Sequence, residues 1–248
     1  MSETSDRRPD GVAFFVGGAG PPRVGGHLVG TYIVAGSPAG QPPTDRRPGP
    51  DDSVIAADYG AHHALAWGWP IHLLIGDLDS LSGPDARALA AAGIPAITAP
   101  AAKDETDLEL ALAHAVAEDA RAIVICAALG GRADHMLANV LMLARPELAG
   151  RDVVIADGGQ TLHLLRGVGA AGGMACLVLE GAPGDLLSLL PIGGDAVGVT
   201  TRGLVYPLWD ETLYLGQTRG VSNVFEGVTA HVALRAGLLV VIHTRAGG

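Results

Sequence analysis

From Thr31 to about Asp157 the chain alternates two hydrophobic rhythms. Short continuous runs, Tyr32-Ile33-Val34, Val54-Ile55-Ala56-Ala57, Leu73-Leu74-Ile75, Ala96-Ile97-Thr98, Ile123 to Ala127 and Val153-Val154-Ile155, are mostly β-branched. Such runs fit parallel strands buried on both faces. Between them Ala61–Trp67, Asp85–Ala92, Asp107–Glu118 and His135–Leu143 carry apolar residues at helical spacing. Strand–helix alternation of this kind predicts an open, mostly parallel α/β sheet with flanking helices.

After Gly158 the texture changes. Leu162–Leu165, Cys176–Leu179, Leu186–Leu190, Ala196–Thr200, Leu204–Leu208, Leu213–Leu215, Val228–Leu234 and Leu238–His243 are short apolar strings between Gly, Pro and Asp. None holds a helical period for ten residues, so an all-β sandwich or jelly-roll domain is expected to follow the α/β domain. The reading gives a poorly ordered leader over 1–26, an α/β domain over 27–152 and a β domain over 153–248. The leader is rich in Gly, Pro, Asp and Arg around one apolar patch, Val12 to Val16.

Composition narrows the class. Of 248 residues, 48% are hydrophobic and 17% charged, which excludes a disordered or fibrous chain. The net charge of −10 argues against a partner bound through nucleic-acid phosphates. Two cysteines, Cys126 and Cys176, each inside an apolar run, are too few for a disulfide scaffold or a thiolate zinc site. The N-terminus lacks the basic-then-apolar order of a secretory signal, and no stretch reads as a membrane span. A soluble cytoplasmic protein is the expectation.

The acidic residues are 18 Asp and 8 Glu, and Asp favours turns, caps and metal sites over helix interiors. In the first domain six aspartates fall just past the carboxyl end of a strand. Asp58 follows Val54–Ala57, Asp77 and Asp79 follow Leu73–Ile75, Asp104 and Asp107 follow 96–98, and Asp134 follows Ile123–Ala127. Open α/β sheets bind ligands in the crevice outside those strand ends. Six carboxylates on one rim would repel one another without a cation, and hard oxygen donors suit Mg²⁺.

Each piece also has a plainer reading. Asp77 and Asp79 could form an ordinary Asx turn, and a lone His135 is more often structural than catalytic. Thr106-Asp107-Leu108-Glu109 fits a capping box, which leaves a helix N-terminus open to phosphate in the same crevice. Gly130-Gly131-Arg132 is either a simple turn or a phosphate contact. No Walker A loop, Gly-x-Gly-x-x-Gly fingerprint, His-Glu-x-x-His pair or Gly-x-Ser-x-Gly elbow occurs. Metal-assisted phosphate chemistry on a nucleotide remains, with the acceptor unnamed.

Taken in order, the motifs resemble thiamine pyrophosphokinases. The likeness runs from Thr31 to His243 through Ile75-Gly76-Asp77-Leu78-Asp79-Ser80, Lys103-Asp104-Glu105-Thr106-Asp107 and Gly130-Gly131-Arg132-Ala133-Asp134-His135 with Asn139. It continues through Gly184 to Pro191, Thr201-Arg202-Gly203-Leu204-Val205-Tyr206-Pro207-Leu208 and Gly220-Val221-Ser222-Asn223. The resemblance implies a homodimer that transfers the pyrophosphoryl group of ATP to the hydroxyl of thiamine, giving thiamine diphosphate and AMP. It implies Mg²⁺ on Asp77, Asp79 and Asp107, with Arg132 joining them in catalysis. Asp58, Asp104, Thr106, Arg132, Asp134 and His135 would form the nucleotide site, and Tyr206, Ser222 and Asn223 the thiamine site. Tyr206 is equally readable as a strand core residue. Two positions depart from the family pattern: Tyr59 stands where Asp-Gly-Gly is usual, and Val224 follows Ser222-Asn223 where an acid is common. A sensor that binds without turnover, or a kinase for another alcohol, is the alternative.

Overall fold

The computed structural model describes residues 23–24, 27–77, 83–98, 104–169 and 172–247. Most of the expected leader lies outside the described residues. At its end β1 (Arg23–Val24) pairs antiparallel with β2 (His27–Leu28). The parallel strands are β3 (Thr31–Val34), β4 (Ser53–Ala57), β5 (Leu73–Gly76), β6 (Ala96–Thr98), β7 (Ala122–Cys126) and β8 (Asp152–Asp157). They stand side by side in the order β8-β7-β3-β4-β5-β6.

Helices cover both faces because the strand residues alternate. Ile33, Ile55, Ile75, Ile123 and Ile125 point to one side, where α3 (Asp107–Ala117) buries Leu108, Ala111, Leu112 and Ala115 at helical spacing. Val34, Val54, Ala56, Leu74 and Cys126 point to the other side, where α1 (Gly60–Ala66) buries Ala61 and Ala64, and α2 (Gly83–Ala91) buries Leu89. On the α3 side α4 (Ala133–Met142) packs more lightly, through the partly buried Val140 and Met142. Each fully buried Ile or Leu contributes about 1.5–3 kcal/mol.

The sheet then continues into the β region without a break. β9 (Gln160–Arg166) turns back antiparallel on β8 at Gly158-Gly159, and β15 (Ala236–Thr244) pairs with β9. The change from parallel to antiparallel pairing therefore follows β8. The strings Leu186–Leu190 and Ala196–Thr200, expected as two strands, form one 17-residue strand, β11 (Leu186–Arg202). Its first half pairs with β15, its register shifts between Ile192 and Val197, and its end pairs with β14 (Thr229–Leu234). The positive-φ pair Gly193-Gly194 sits at that shift, where an irregularity lets one strand change partners.

With β10 (Ala175–Glu180), β12 (Glu211–Leu213) and β13 (Asn223–Val224), these strands enclose a second core around Leu187, Leu189, Val199, Phe225, Leu234, Leu239 and Val241. Leu204–Leu208, expected as a strand, forms only a single bridge from Leu204 to Phe225. Its backbone is held by isolated main-chain bonds, from Val205 N–H to the Val224 carbonyl (2.9 Å) and from Thr201 N–H to the Leu208 carbonyl (3.0 Å), and by side chains described below.

A buried polar clasp closes the β region. The Asp185 carboxylate accepts the N–H groups of Ala182 (2.9 Å) and Ala246 (2.8 Å), and lies 2.7 Å from the His243 ring nitrogen. Burial alone would raise its pKa, but the Ala246 and Ala182 N–H groups and His243 outweigh that and hold it below the usual value. A depressed carboxylate stabilises the fold above its unfolded pKa of about 3.9 and loses that contribution as the pH falls through the folded value. Asp185→Asn is therefore expected to cost about 2 kcal/mol at pH 7. The gap from wild type should close below about pH 4 in thermal melts. A gap unchanged from pH 6 to pH 3 would contradict this.

Candidate functional site

The carboxyl ends of β3, β4, β5 and β7 open on a cavity of about 400 Å³. Asp58, Asp77, Thr106, Asp107, Arg132, His135 and Asn139 line it, with Gly36, Ser37, Pro38, Tyr59, Glu105 and Gly130 among their neighbours. The crevice rule thus places the site, and five chain segments distant in sequence supply it.

The acidic wall is built around one backbone position. Gly76 has φ 146°, and a Cβ there would lie 3.1 Å from the Asp107 carboxyl carbon and 3.1 Å from the Asp58 Cβ. Any side chain at Gly76 would intrude between two carboxylate-bearing residues. Asp58 itself takes a left-handed conformation, φ 44°, which Asp tolerates better than most residues. Asp107 is the first residue of α3, whose cap is Thr106, with the Glu109 N–H donating to Thr106 Oγ1 at 3.2 Å. The reciprocal half of the expected capping box is absent, because the Glu109 carboxylate pairs with Arg145.

Not all six strand-end carboxylates gather here. Asp104 is exposed and does not line the cavity, and Asp79 lies outside the described residues. Asp134 is turned to Arg132, which donates from Nη2 at 2.6 Å and from Nε at 3.2 Å. That guanidinium holds the Asp134 carboxyl down at about 2. Asp134 thus has its own cation two residues away. Among the described residues no three His, Cys, Asp or Glu side chains form a metal-holding group by themselves.

The loop after β3 was not singled out in sequence, although Ala35-Gly36-Ser37-Pro38 follows a strand as the acidic loops do. It is fastened to the β7–α4 loop, where Ser37 Oγ donates to the Leu129 carbonyl at 2.5 Å. Asn139 Nδ2 donates to the Ala128 carbonyl at 2.9 Å. Asp157, at the end of β8, accepts the N–H groups of Gln41 (2.7 Å) and Leu129 (3.0 Å), so one buried carboxylate anchors both loops. Burial pushes its pKa up despite these donors.

Tyr59 does not strain its loop. Its φ of −55° and ψ of −19° are ordinary helical values, so this position does not require glycine. Gly60 does: a Cβ there would fall 1.8 Å from the Val34 carbonyl oxygen. The glycine this turn requires is the second one, and the departure at Tyr59 leaves the turn intact.

Tyr206, Ser222 and Asn223 lie in the β region and do not line the cavity. Asn223 is buried and its amide is occupied: Oδ1 accepts from Tyr206 N–H (3.1 Å) and Val224 N–H (2.9 Å), while Nδ2 donates to the Tyr206 carbonyl (2.7 Å). Asn223 thereby fixes the backbone at Tyr206, whose ring is 64% exposed. Tyr206 is not a core residue. Ser222 N–H donates to Ser188 Oγ at 3.0 Å.

The comparisons agree with this architecture. A family model described as thiamin pyrophosphokinase, catalytic domain, matches residues 50–155, and one described as thiamin pyrophosphokinase, vitamin B1 binding domain, matches 177–239. A curated Bacillus subtilis thiamine pyrophosphokinase is 26% identical over 179 residues, covering 68% of this chain and 76% of its own. The crystal structure of thiamine pyrophosphokinase from B. subtilis superposes with a TM-score of 0.76 at 26% identity, over 87% of this chain and 98% of that one. The Geobacillus thermodenitrificans structure gives 0.74 at 27% identity, over 88% and 98%. The yeast enzyme, at 14% identity and TM-score 0.64 over 87% and 86%, shares the fold.

Proposed function

We propose that this chain, which belongs to the thiamin pyrophosphokinase family, moves the pyrophosphoryl group of ATP onto the thiamine hydroxyl and releases AMP. The observation that carries this reading is the convergence of Asp58, Asp77 and Asp107 with the capped N-terminus of α3 and Arg132 around one strand-end cavity. The positive dipole end of α3 and the Arg132 fork suit phosphate oxygens, while the carboxylates suit a divalent cation.

Mg²⁺ fits this donor set. The acidic wall offers hard oxygens and no thiolate, and Mg²⁺ usually takes one or two carboxylates while keeping water and phosphate oxygens in its other positions. Asp77 and Asp107 would hold it, with Asp79 as the further candidate. When bound, it supplies charge neutralisation on the phosphates. Arg132 would exchange Asp134 for phosphate oxygens and take up charge as the β-phosphorus is transferred. The thiamine hydroxyl attacks that phosphorus in line and releases its proton to solvent, the bond to the AMP oxygen breaks, and AMP leaves. Positioning and charge dominate such a transfer.

Tyr206, presented by Asn223 and exposed, would give an aromatic face to thiamine, with Ser222 beside it. Because these residues do not line the nucleotide cavity, the reading includes a homodimer in which a second copy supplies the thiamine side. Specific activity is then expected to fall on dilution in step with the monomer fraction measured by light scattering; a fully active monomer would contradict it. A cytoplasmic setting accompanies this reading, supported by two cysteines that are both free thiols. Among the described residues no helix is long and apolar enough to cross a membrane.

Incubation with ATP, Mg²⁺ and thiamine, with products identified by mass, tests the proposal. Thiamine diphosphate with AMP supports it. ADP would mean transfer of a single phosphate, and binding of both substrates without product would mean a sensor.

A further inference from the structure

We propose that the Tyr59 ring is the stacking face for the nucleotide base, so that the cavity recognises a planar nucleobase and not only a polyphosphate. The inference rests on the nucleotide reading above and deepens it. It begins from the unlike walls of the cavity. Helices α3 and α4 pack on one face of the sheet and bring their N-termini, with Thr106, Asp107, Arg132 and His135, to one wall. Helix α1 packs on the opposite face, and its head brings Tyr59 to the other wall beside Gly36. Phosphates belong with the helix N-termini and the guanidinium. A ligand spanning the cavity from that wall places its other end against Tyr59.

The ring is available and held in place. Tyr59 is 44% exposed while lining the cavity. Behind it His62 lies with its ring centroid 4.8 Å away and His63 lies 5.4 Å away edge-on. Both imidazoles are themselves anchored. His62 Nδ1 is 2.7 Å from an Asp85 carboxylate oxygen, and His63 Nε2 is 2.8 Å from the Ser37 carbonyl. His63 also stacks on Trp67 at 5.5 Å. The absence of a side chain at Gly36 gives Tyr59 its place, since a Cβ there would come within 3.1 Å of the Tyr59 Cβ. An exposed aromatic ring that lines a cavity and is backed by other rings is what a base stacks on, whatever its hydrogen-bonding edge.

The test measures binding of Mg-ATP and of inorganic tripolyphosphate, a probe without a base, to the full chain by calorimetry. Tyr59→Ala is expected to weaken ATP about tenfold and to change tripolyphosphate less than twofold, and Tyr59→Phe to restore most of the lost affinity. In Tyr59→Trp, ATP should quench the added fluorescence and tripolyphosphate should not. Wild-type ATP affinity in Tyr59→Ala would overturn the inference. Equal weakening of both ligands would overturn it too, by showing that Tyr59 only supports the loop. Failure of the wild type to make thiamine diphosphate would refute the proposed reaction but leave the contrast between ATP and tripolyphosphate readable.

Discussion

Asp77→Asn is expected to lower kcat by about 100-fold or more while leaving the melting temperature within a few degrees of wild type. Asp77 follows β5, is only partly buried, and lines the cavity beside the Gly76 position on which Asp58 and Asp107 close. The amide keeps the shape and removes the charge, so a fold that depended on Asp77 for packing would survive the change. An enzyme that needs a carboxylate for a divalent cation would not. Steady-state kinetics with saturating Mg-ATP and thiamine, paired with a thermal melt, separates the two. Normal turnover would remove the acidic wall from the mechanism.

Gly60→Ala should have the largest effect on stability. The added methyl would overlap the Val34 carbonyl oxygen at 1.8 Å and crowd the Val34 carbonyl carbon at 2.7 Å and the Ala35 oxygen at 3.1 Å. All three are backbone atoms in or next to a central strand, so no side chain can swing aside. Helix α1 must move off β3, breaking the packing of Ala61 and Ala64 under the sheet. The expected cost is about 3 kcal/mol, or roughly 6–12 °C in melting temperature for a chain of this size. Tyr59→Gly, one residue earlier, should cost far less, since Tyr59 already occupies helical dihedrals. Equal melting temperatures for Gly60→Ala and wild type would mean that α1 does not sit as close to β3 as described.

The parts of this fold legible in sequence were those governed by local rules. Runs such as Val54-Ile55-Ala56-Ala57 announce buried parallel strands because both faces must be apolar. Thr106 announces the head of α3 because a side-chain oxygen there satisfies a free N–H. The strand-end positions of Asp58, Asp77 and Asp107 follow from the same arithmetic. What stayed hidden depends on long-range partners. Nothing local says that Asp157 ties Gln41 to Leu129 across 116 and 28 positions. Asn223 reads as a ligand-binding amide until Tyr206, 17 positions away, is seen to occupy it. The continuity of β11 through Gly193-Gly194 was hidden for the opposite reason, since two glycines ordinarily mark a turn.

The account stands on carboxylates that share a divalent ion with a triphosphate at one sheet edge. A crystal of the protein with Mn²⁺ and a non-hydrolysable ATP analogue tests it most directly, through the anomalous signal of the manganese. The account predicts a peak within direct coordination distance of the Asp77 and Asp107 carboxylates, with phosphate oxygens on the ion and at the head of α3. A triphosphate bound elsewhere, with both carboxylates facing only solvent, would contradict it.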